Sequence, residues 1–292
     1  MKRTIGSTIP VAVALVGAAL VTSGCARLRA WRAAEPVEGD GVYELTLAGA
    51  LAGGTGGALE DLQVYVERRG GKWRQAFAQA PTWNQAYHKV DPGGLLLAGK
   101  AVKGNLKVTL QPDQWVPGDG APVACTFTLD AQLADAKVAG RHKGTCGKKE
   151  VEGTVSGKVT PRDPSLYESC HVSLKLENLL AFGEDWKRRV ELVFRRRDGA
   201  SLIGTASVRL DPQTSDVTDL KVDTTTLALG PDAMTGKFVF LVPTNKQAYA
   251  VSVRGIVVGR HVGGTFEGMA DGTDVGPGVF TGALDPVKDE VK

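Results

Sequence analysis

VAGRHKG at residues 138–144 recurs as VVGRHVG at residues 257–263. The similarity continues without a gap over residues 107–144 and 226–263, at a constant offset of 119 positions. It includes Leu110, Pro112 and Asp113, which align with Leu229, Pro231 and Asp232. Landmarks on both sides keep the same order along the chain, which is typical of a tandem duplication. The sequence therefore predicts two copies of one unit.

The predicted copies cover residues 41–161 and 169–286, with a linker at 162–168 and a tail at 287–292. Each copy has roughly 120 residues, the usual size of a domain. Val, Thr and Leu alternate with polar residues in short runs between turn dipeptides, and no long stretch keeps the helical period. The pattern predicts an all-β chain of two antiparallel domains with about eight strands each. Periodicity does not separate a small barrel from a sandwich, although glycines spaced along the final strands favour the barrel.

The amino-terminal segment has the layout of a secretory signal. Lys2 and Arg3 precede an uncharged run at residues 4–24, whose apolar centre is too short for a stable membrane span. The run leads into VTSGC at residues 21–25. This pentapeptide resembles the lipobox of bacterial lipoproteins, with Thr22 where leucine is usual.

The resemblance implies that residues 1–24 form a signal peptide and that Cys25 becomes the lipid-modified first residue of the mature chain. Residues 25–40 are then a tether between the domains and a bacterial membrane. We expect this to be the outer membrane, with the protein on its periplasmic or its surface face. An ordinary signal cleaved near Ala26 is the alternative. No family resemblance is evident over residues 26–292.

Side chains alternate between the two faces of a strand, and this alternation predicts where the cysteines and the repeated histidines point. If residues 123–133 pair with 136–146 about a turn at Asp135-Ala136, Cys125 faces Cys146 on the apolar side, as a disulfide requires. An exported compartment permits this bond. With Cys25 lipidated, Cys170 is left as a buried thiol or as a site for an intermolecular bond.

His142 shares parity with Val138, Gly140 and Gly144, and the same alternation groups His261 with Val257. Both histidines are therefore expected to face inward as buried, hydrogen-bonded structural residues. No further histidine, cysteine pair or carboxylate stands at metal-ligand spacing on these strands. The sequence predicts neither a metal nor a cofactor.

Copy one holds nine extra residues between its third and fifth strands. The stretch at 81–92 lies in this region and is predicted to be a loop. Aromatic rings stand there beside amide, imidazole and carboxylate groups, a mixture that suits a sugar's apolar face and hydroxyls. The alternative is that Trp83 and Trp115 plug an open barrel end. The candidate ligand-binding residues are Trp83, Asn84, Tyr87, His88, Asp91 and Trp115.

Charge and motifs exclude several functions. Without Lys2 and Arg3 the mature chain has 33 basic and 32 acidic side chains, so nucleic-acid binding is not indicated. None of the standard catalytic or phosphate-binding motifs occurs. The sequence therefore predicts a non-enzymatic binding or structural module of the cell envelope, with a polysaccharide as the favoured ligand. The alternatives are a purely structural or protein-binding lipoprotein, and a hydrolase that uses carboxylates such as Asp91 in the copy-one loop.

Overall fold

A computed structural model describes residues 37–52, 59–80, 87–110, 122–167, 169–177, 189–196, 203–209, 217–242, 246–274 and 277–286. These residues are almost all in strands, and one short 3-10 helix, Pro164–Tyr167, connects two groups of strands. The all-β prediction is confirmed. Among the described residues, no helix combines the length and the hydropathy needed to cross a bilayer.

The first group of strands forms a closed antiparallel barrel in which each strand pairs with the next. Pairing of the last strand with the first closes it, with Leu45 opposite Gly157. The small barrel, one of the two predicted architectures, is thus confirmed for the first half. Its strands are β1 (Gly41–Ala52), β2 (Leu59–Arg69), β3 (Lys72–Gln79), β4 (Tyr87–Ala98), β5 (Ala101–Leu110), β6 (Val123–Ala134), β7 (Lys137–Cys146) and β8 (Lys149–Thr160).

Two-residue turns at one end of the barrel follow the sequence closely. Gly70 and Gly71 join β2 to β3 with φ of 58° and 74°, and Asp135 and Ala136 join β6 to β7 with φ of 49° and 58°. Two successive residues with positive φ make the hairpin turn whose twist matches that of the flanking strands. The turn predicted at Asp135-Ala136 is confirmed.

The predicted disulfide is also present. Cys125 lies directly opposite Cys146 across the β6–β7 ladder, and the two form a disulfide. Cys125 is buried and Cys146 packs against the barrel core. Cys170 is buried at the start of the next strand and takes no part in this bond, while Cys25 lies outside the described residues.

The barrel interior is filled by side chains. Along β6 every second residue is buried, and the same alternation on other strands directs large side chains into one continuous core. The described side chains thus fill the lumen, as in other small barrels of eight strands. Its largest fully buried members include Tyr43, Leu45, Leu47, Leu62 and Phe127.

The second group of strands forms one antiparallel sheet in the order β12-β11-β10-β9-β18-β16-β15-β14-β13. β12 also pairs with β14, with Val222 opposite Phe240, and β17 pairs with β16. The strands are β9 (Cys170–Glu177), β10 (Arg189–Arg196), β11 (Ile203–Arg209), β12 (Val217–Thr225), β13 (Ala228–Leu229), β14 (Ala233–Val242), β15 (Gln247–Val258), β16 (His261–Ala270), β17 (Thr273–Asp274) and β18 (Gly278–Pro286).

The repeated heptapeptides occupy different places in the two halves. Residues 138–144 lie within β7, whereas residues 257–263 run through the turn at Gly259-Arg260 that joins β15 to β16. The ungapped alignment is therefore not a structural alignment, and tandem duplication remains a prediction.

The outer surface of the barrel packs against the outer surface of the second sheet. Val42, Tyr65 and Phe77 from the barrel form an apolar cluster with Val258, and Tyr87 and Ile256 pack at its edge. A Cβ atom added to Gly263 would lie 2.9 Å from ring atoms of Phe77 and Tyr87. Glycine is needed at this position because it lets the two surfaces approach closely.

Candidate functional site

Half of the predicted ligand-binding residues can be placed. Tyr87, His88 and Asp91 belong to β4, so the prediction that they lie on a loop is wrong. Tyr87 pairs with Gln79 of β3, and Asp91 pairs with Lys107 of β5. Trp83, Asn84 and Trp115 lie outside the described residues, as does the predicted lipidation site Cys25.

The loop prediction rested on the nine extra residues of copy one, but β4 runs through residues 87–92 and continues past Pro92 by means of a bulge. Between the pairs Asp91–Lys107 and Gly94–Asn105 the register shifts, so Pro92 and Gly93 stand opposite a single residue of β5. Such a bulge removes the need for the backbone N–H that proline lacks. Asp91 Oδ1 accepts a hydrogen bond from the Gly93 N–H at 2.9 Å, which holds the bulge.

Strand alternation separates the three residues. His88 is buried and shares its face with Val90, a member of the barrel core, whereas Tyr87 and Asp91 face outward. Burial lowers the pKa of His88 to about 4, so its imidazole is neutral at pH 7. Asp91 is exposed and Tyr87 is half-buried. The structure therefore does not bring the three side chains to one surface.

Tyr87 instead contributes to a cavity of about 250 Å³ at the edge of the contact between barrel and second sheet. The cavity is open on one side. It combines an aromatic ring, a guanidinium, a hydroxyl and glycine backbone. Its lining residues are Tyr87, Arg254, Gly255, Ile256, Gly264 and Thr265.

Arg254 and Thr265 were not among the sequence candidates. They are paired directly across β15 and β16 and are both exposed. In the sequence each is one more polar residue on the solvent face of an alternating strand, which carries no functional signal. Only the fold places them beside Tyr87, so no local pattern would have found them.

A buried ion-pair network lies elsewhere along the same contact. Glu67 of β2 has a side chain only 3% exposed and meets Arg162 Nε at 3.0 Å and Arg69 Nε at 4.0 Å. Arg69 Nη2 reaches Asp232 Oδ1 at 2.8 Å, which ties the barrel to the second sheet. Burial raises the pKa of Glu67 although the two arginines oppose that effect. The Tyr167 hydroxyl donates to the Gly259 carbonyl at 3.0 Å and adds a further link.

The two repeated histidines have different surroundings. His142 is buried inside the barrel, where its Nε2–H donates to the Ala48 carbonyl at 2.8 Å and its ring meets Phe127 edge-on. The prediction of an inward structural histidine is confirmed for His142 and wrong for His261. His261 faces the barrel from outside, stacks on Tyr65 at 4.0 Å between ring centroids, and lies 3.5 Å from Glu44 Oε1.

Comparisons with known proteins assign no family. No protein-family model matches the sequence, and no curated protein is significantly similar to it. One solved structure, a provisionally assigned outer membrane protein of Bacteroides fragilis, aligns with 85% of this chain and 97% of its own at 14% identity. The TM-score of 0.25 is too low for any argument about fold or function.

The described residues contain no group of three or more His, Cys, Asp or Glu side chains that is able to hold a metal ion. Asp91 is occupied in capping the bulge, and His88 is enclosed in the barrel. Among the described residues, the Tyr87 cavity brings polar and aromatic groups together at the solvent around a predicted site residue.

Proposed function

We propose that the protein is an exported, lipid-anchored component of the bacterial cell envelope that acts as a non-enzymatic binding module, with a carbohydrate as its ligand. The lipobox-like residues 21–25 support export and anchoring. The Cys125–Cys146 disulfide fits an oxidising compartment, since such bonds persist outside the cytosol.

The observation that carries the binding role is the arrangement of strand ends around the filled barrel. Ala80 and Tyr87 flank the segment that contains Trp83 and Asn84, and Leu110 and Pro122 flank the segment that contains Trp115. Because the strands form an antiparallel meander, all four flanking residues belong to the same end of the barrel. A ligand is therefore expected at this end and at the adjoining Tyr87 cavity rather than in the packed lumen.

The test is a titration of the mature protein with a panel of polysaccharides, followed by tryptophan fluorescence, and repeated on Trp83→Ala. We expect a saturable change in the wild type that the variant loses. Mass spectrometry of the mature amino terminus checks the anchor, and an unmodified Cys25 would contradict it. A wild-type signal that no polysaccharide alters, with the tryptophans shielded from a soluble quencher, would contradict the carbohydrate role.

A structural or protein-binding role is the second candidate, and an exposed apolar strip favours it. Leu241 and Met269 are 47% and 49% exposed on the outer face of the second sheet. Ala250 pairs with Val239 on one side and with Met269 on the other, so the strip crosses three strands. Contiguous apolar surface of this kind is typical of protein contacts. Crosslinking in whole cells that captures the same envelope protein with wild type, and not with Leu241→Lys, would favour this candidate.

A further inference from the structure

The Tyr87 cavity lies where the contact between the two halves ends. Three directly paired positions of β15 and β16 face the barrel in succession: Val258 with His261, Ile256 with Gly263, and Arg254 with Thr265. The barrel covers the first two pairs through Tyr65, Phe77 and Tyr87. The third pair is exposed, so Arg254 and Thr265 extend the interface surface into solvent beside Tyr87.

Tyr87 is held in place on its barrel side. Its ring lies 6.0 Å from that of Phe77 between centroids. It also packs against Gly263, which has no side chain to collide with it. Burial raises the pKa of the Tyr87 phenol, so the hydroxyl stays protonated and is able to donate a hydrogen bond. The ring is therefore a fixed aromatic wall with a polar tip.

Arg254 differs from most arginines along this contact. Arg69, Arg162 and Arg260 each meet a carboxylate within 4.0 Å. Within the described ranges, Arg254 makes no ion pair, and its neighbours in the cavity carry no negative charge. Its guanidinium is able to bind a planar anion through two parallel N–H donors.

We propose that this cavity binds one sugar residue that carries a carboxylate, as part of an acidic polysaccharide. The proposal rests on the carbohydrate function above and names its ligand class. The carboxylate pairs with Arg254, the apolar face of the ring packs on Tyr87, and the Thr265 hydroxyl bonds a ring hydroxyl. Ligand sites commonly measure roughly 300–1,000 Å³. The cavity of about 250 Å³ therefore holds a single sugar residue. Its open side lets the polysaccharide continue into solvent from both ends of that residue.

The experiment compares two probes that differ in the carboxylate alone. The mature protein is titrated by calorimetry with a β-1,4-linked oligoglucuronate and with a cello-oligosaccharide of equal length. We expect the acidic probe to bind at least about tenfold more tightly, and Arg254→Gln to weaken it by about tenfold to a hundredfold, as loss of a charged hydrogen-bonding partner does. Thr265→Val should produce a smaller loss.

Arg141→Gln is the matched control, because Arg141 is an exposed arginine of β7 outside the cavity. It should leave affinity unchanged, and thermal unfolding of both arginine variants should match that of the wild type. If Arg254→Gln binds the acidic probe as well as the wild type does, the proposal is wrong. If the two probes bind equally and Trp83→Ala alone abolishes both, the carbohydrate function stands and this site falls. If neither probe nor any polysaccharide in the panel binds, the carbohydrate function itself is contradicted.

Discussion

The two halves of the chain use nearly the same heptapeptide in opposite ways. In the barrel, residues 138–144 are the middle of β7, and His142 points into the core. In the second sheet, residues 257–263 carry the chain around a turn, and His261 points away from its own sheet toward the barrel.

The position of the turn explains this difference. Asp135-Ala136 aligns with Arg254-Gly255 in the sequence, but the second hairpin turns at Gly259-Arg260, five residues further on. Side chains alternate between faces with a period of two, so a displacement by an odd number of residues transfers each aligned side chain to the other face. A core histidine in one half thereby becomes an interface histidine in the other.

The largest expected loss of stability is at Phe127, the ring that packs against the inward-facing His142. Phe127 is fully buried and meets His142 edge-on. Phe127→Ala should lower the free energy of unfolding by about 4 kcal/mol, because it opens a cavity in a packed core. Urea denaturation measures this loss. Phe127→Leu should cost about 1 kcal/mol by comparison, and equal effects of the two variants would show that the lumen is loosely packed.

Acidification tests the barrel interior through its other histidine. The folded pKa of His88 is about 4, below its ordinary value of 6.5. The resulting stability is fully present above pH 6.5 and is lost as the pH falls toward 4, by roughly 3 kcal/mol. We expect the difference in unfolding free energy between pH 7 and pH 4 to shrink by that amount in His88→Leu. Parallel pH profiles for variant and wild type would contradict a buried, neutral His88.

The interface should respond less strongly. Arg162→Ala removes the 3.0 Å partner of the buried Glu67 carboxylate and leaves Arg69 Nε at 4.0 Å, and should cost about 2 kcal/mol. The double variant Arg162→Met with Glu67→Leu should recover most of this loss in the same denaturation assay. Lys103→Ala serves as the control, because its pair with Asp130 is largely exposed and should contribute under about 0.5 kcal/mol.

The smallest effect is expected at the outward histidine. Burial lowers the pKa of His261, while Glu44 opposes that shift. Stability linked to the neutral ring is present above its ordinary pKa and declines as the pH falls through the lowered folded value. NMR titration should therefore place the midpoint below 6.5, and Glu44→Gln should lower it further. A rise in the midpoint in Glu44→Gln would show that the carboxylate does not act on this ring.

Local patterns predicted the parts of the fold that depend on neighbours along the chain. The turn at Asp135-Ala136 sets the register of β6 and β7, and that register places Cys125 opposite Cys146. The same parity places His142 inside the barrel. The candidate site was predicted less well, because the extra residues of copy one suggested a loop where β4 continues through a bulge at Pro92. Ordinary strand alternation then directs Tyr87 and His88 to opposite faces.

The sequence by itself determined an all-β chain, the β6–β7 hairpin and its disulfide, because alternation and turn residues act over a few positions. Only the tertiary structure decided that the barrel closes, that its lumen is filled, and that its outer wall meets the second sheet. Tyr87 and Arg254 meet at one cavity although they are far apart in sequence. Their proximity depends on the register of every hairpin between them, and one odd displacement of a turn is enough to turn a side chain from the core to an interface.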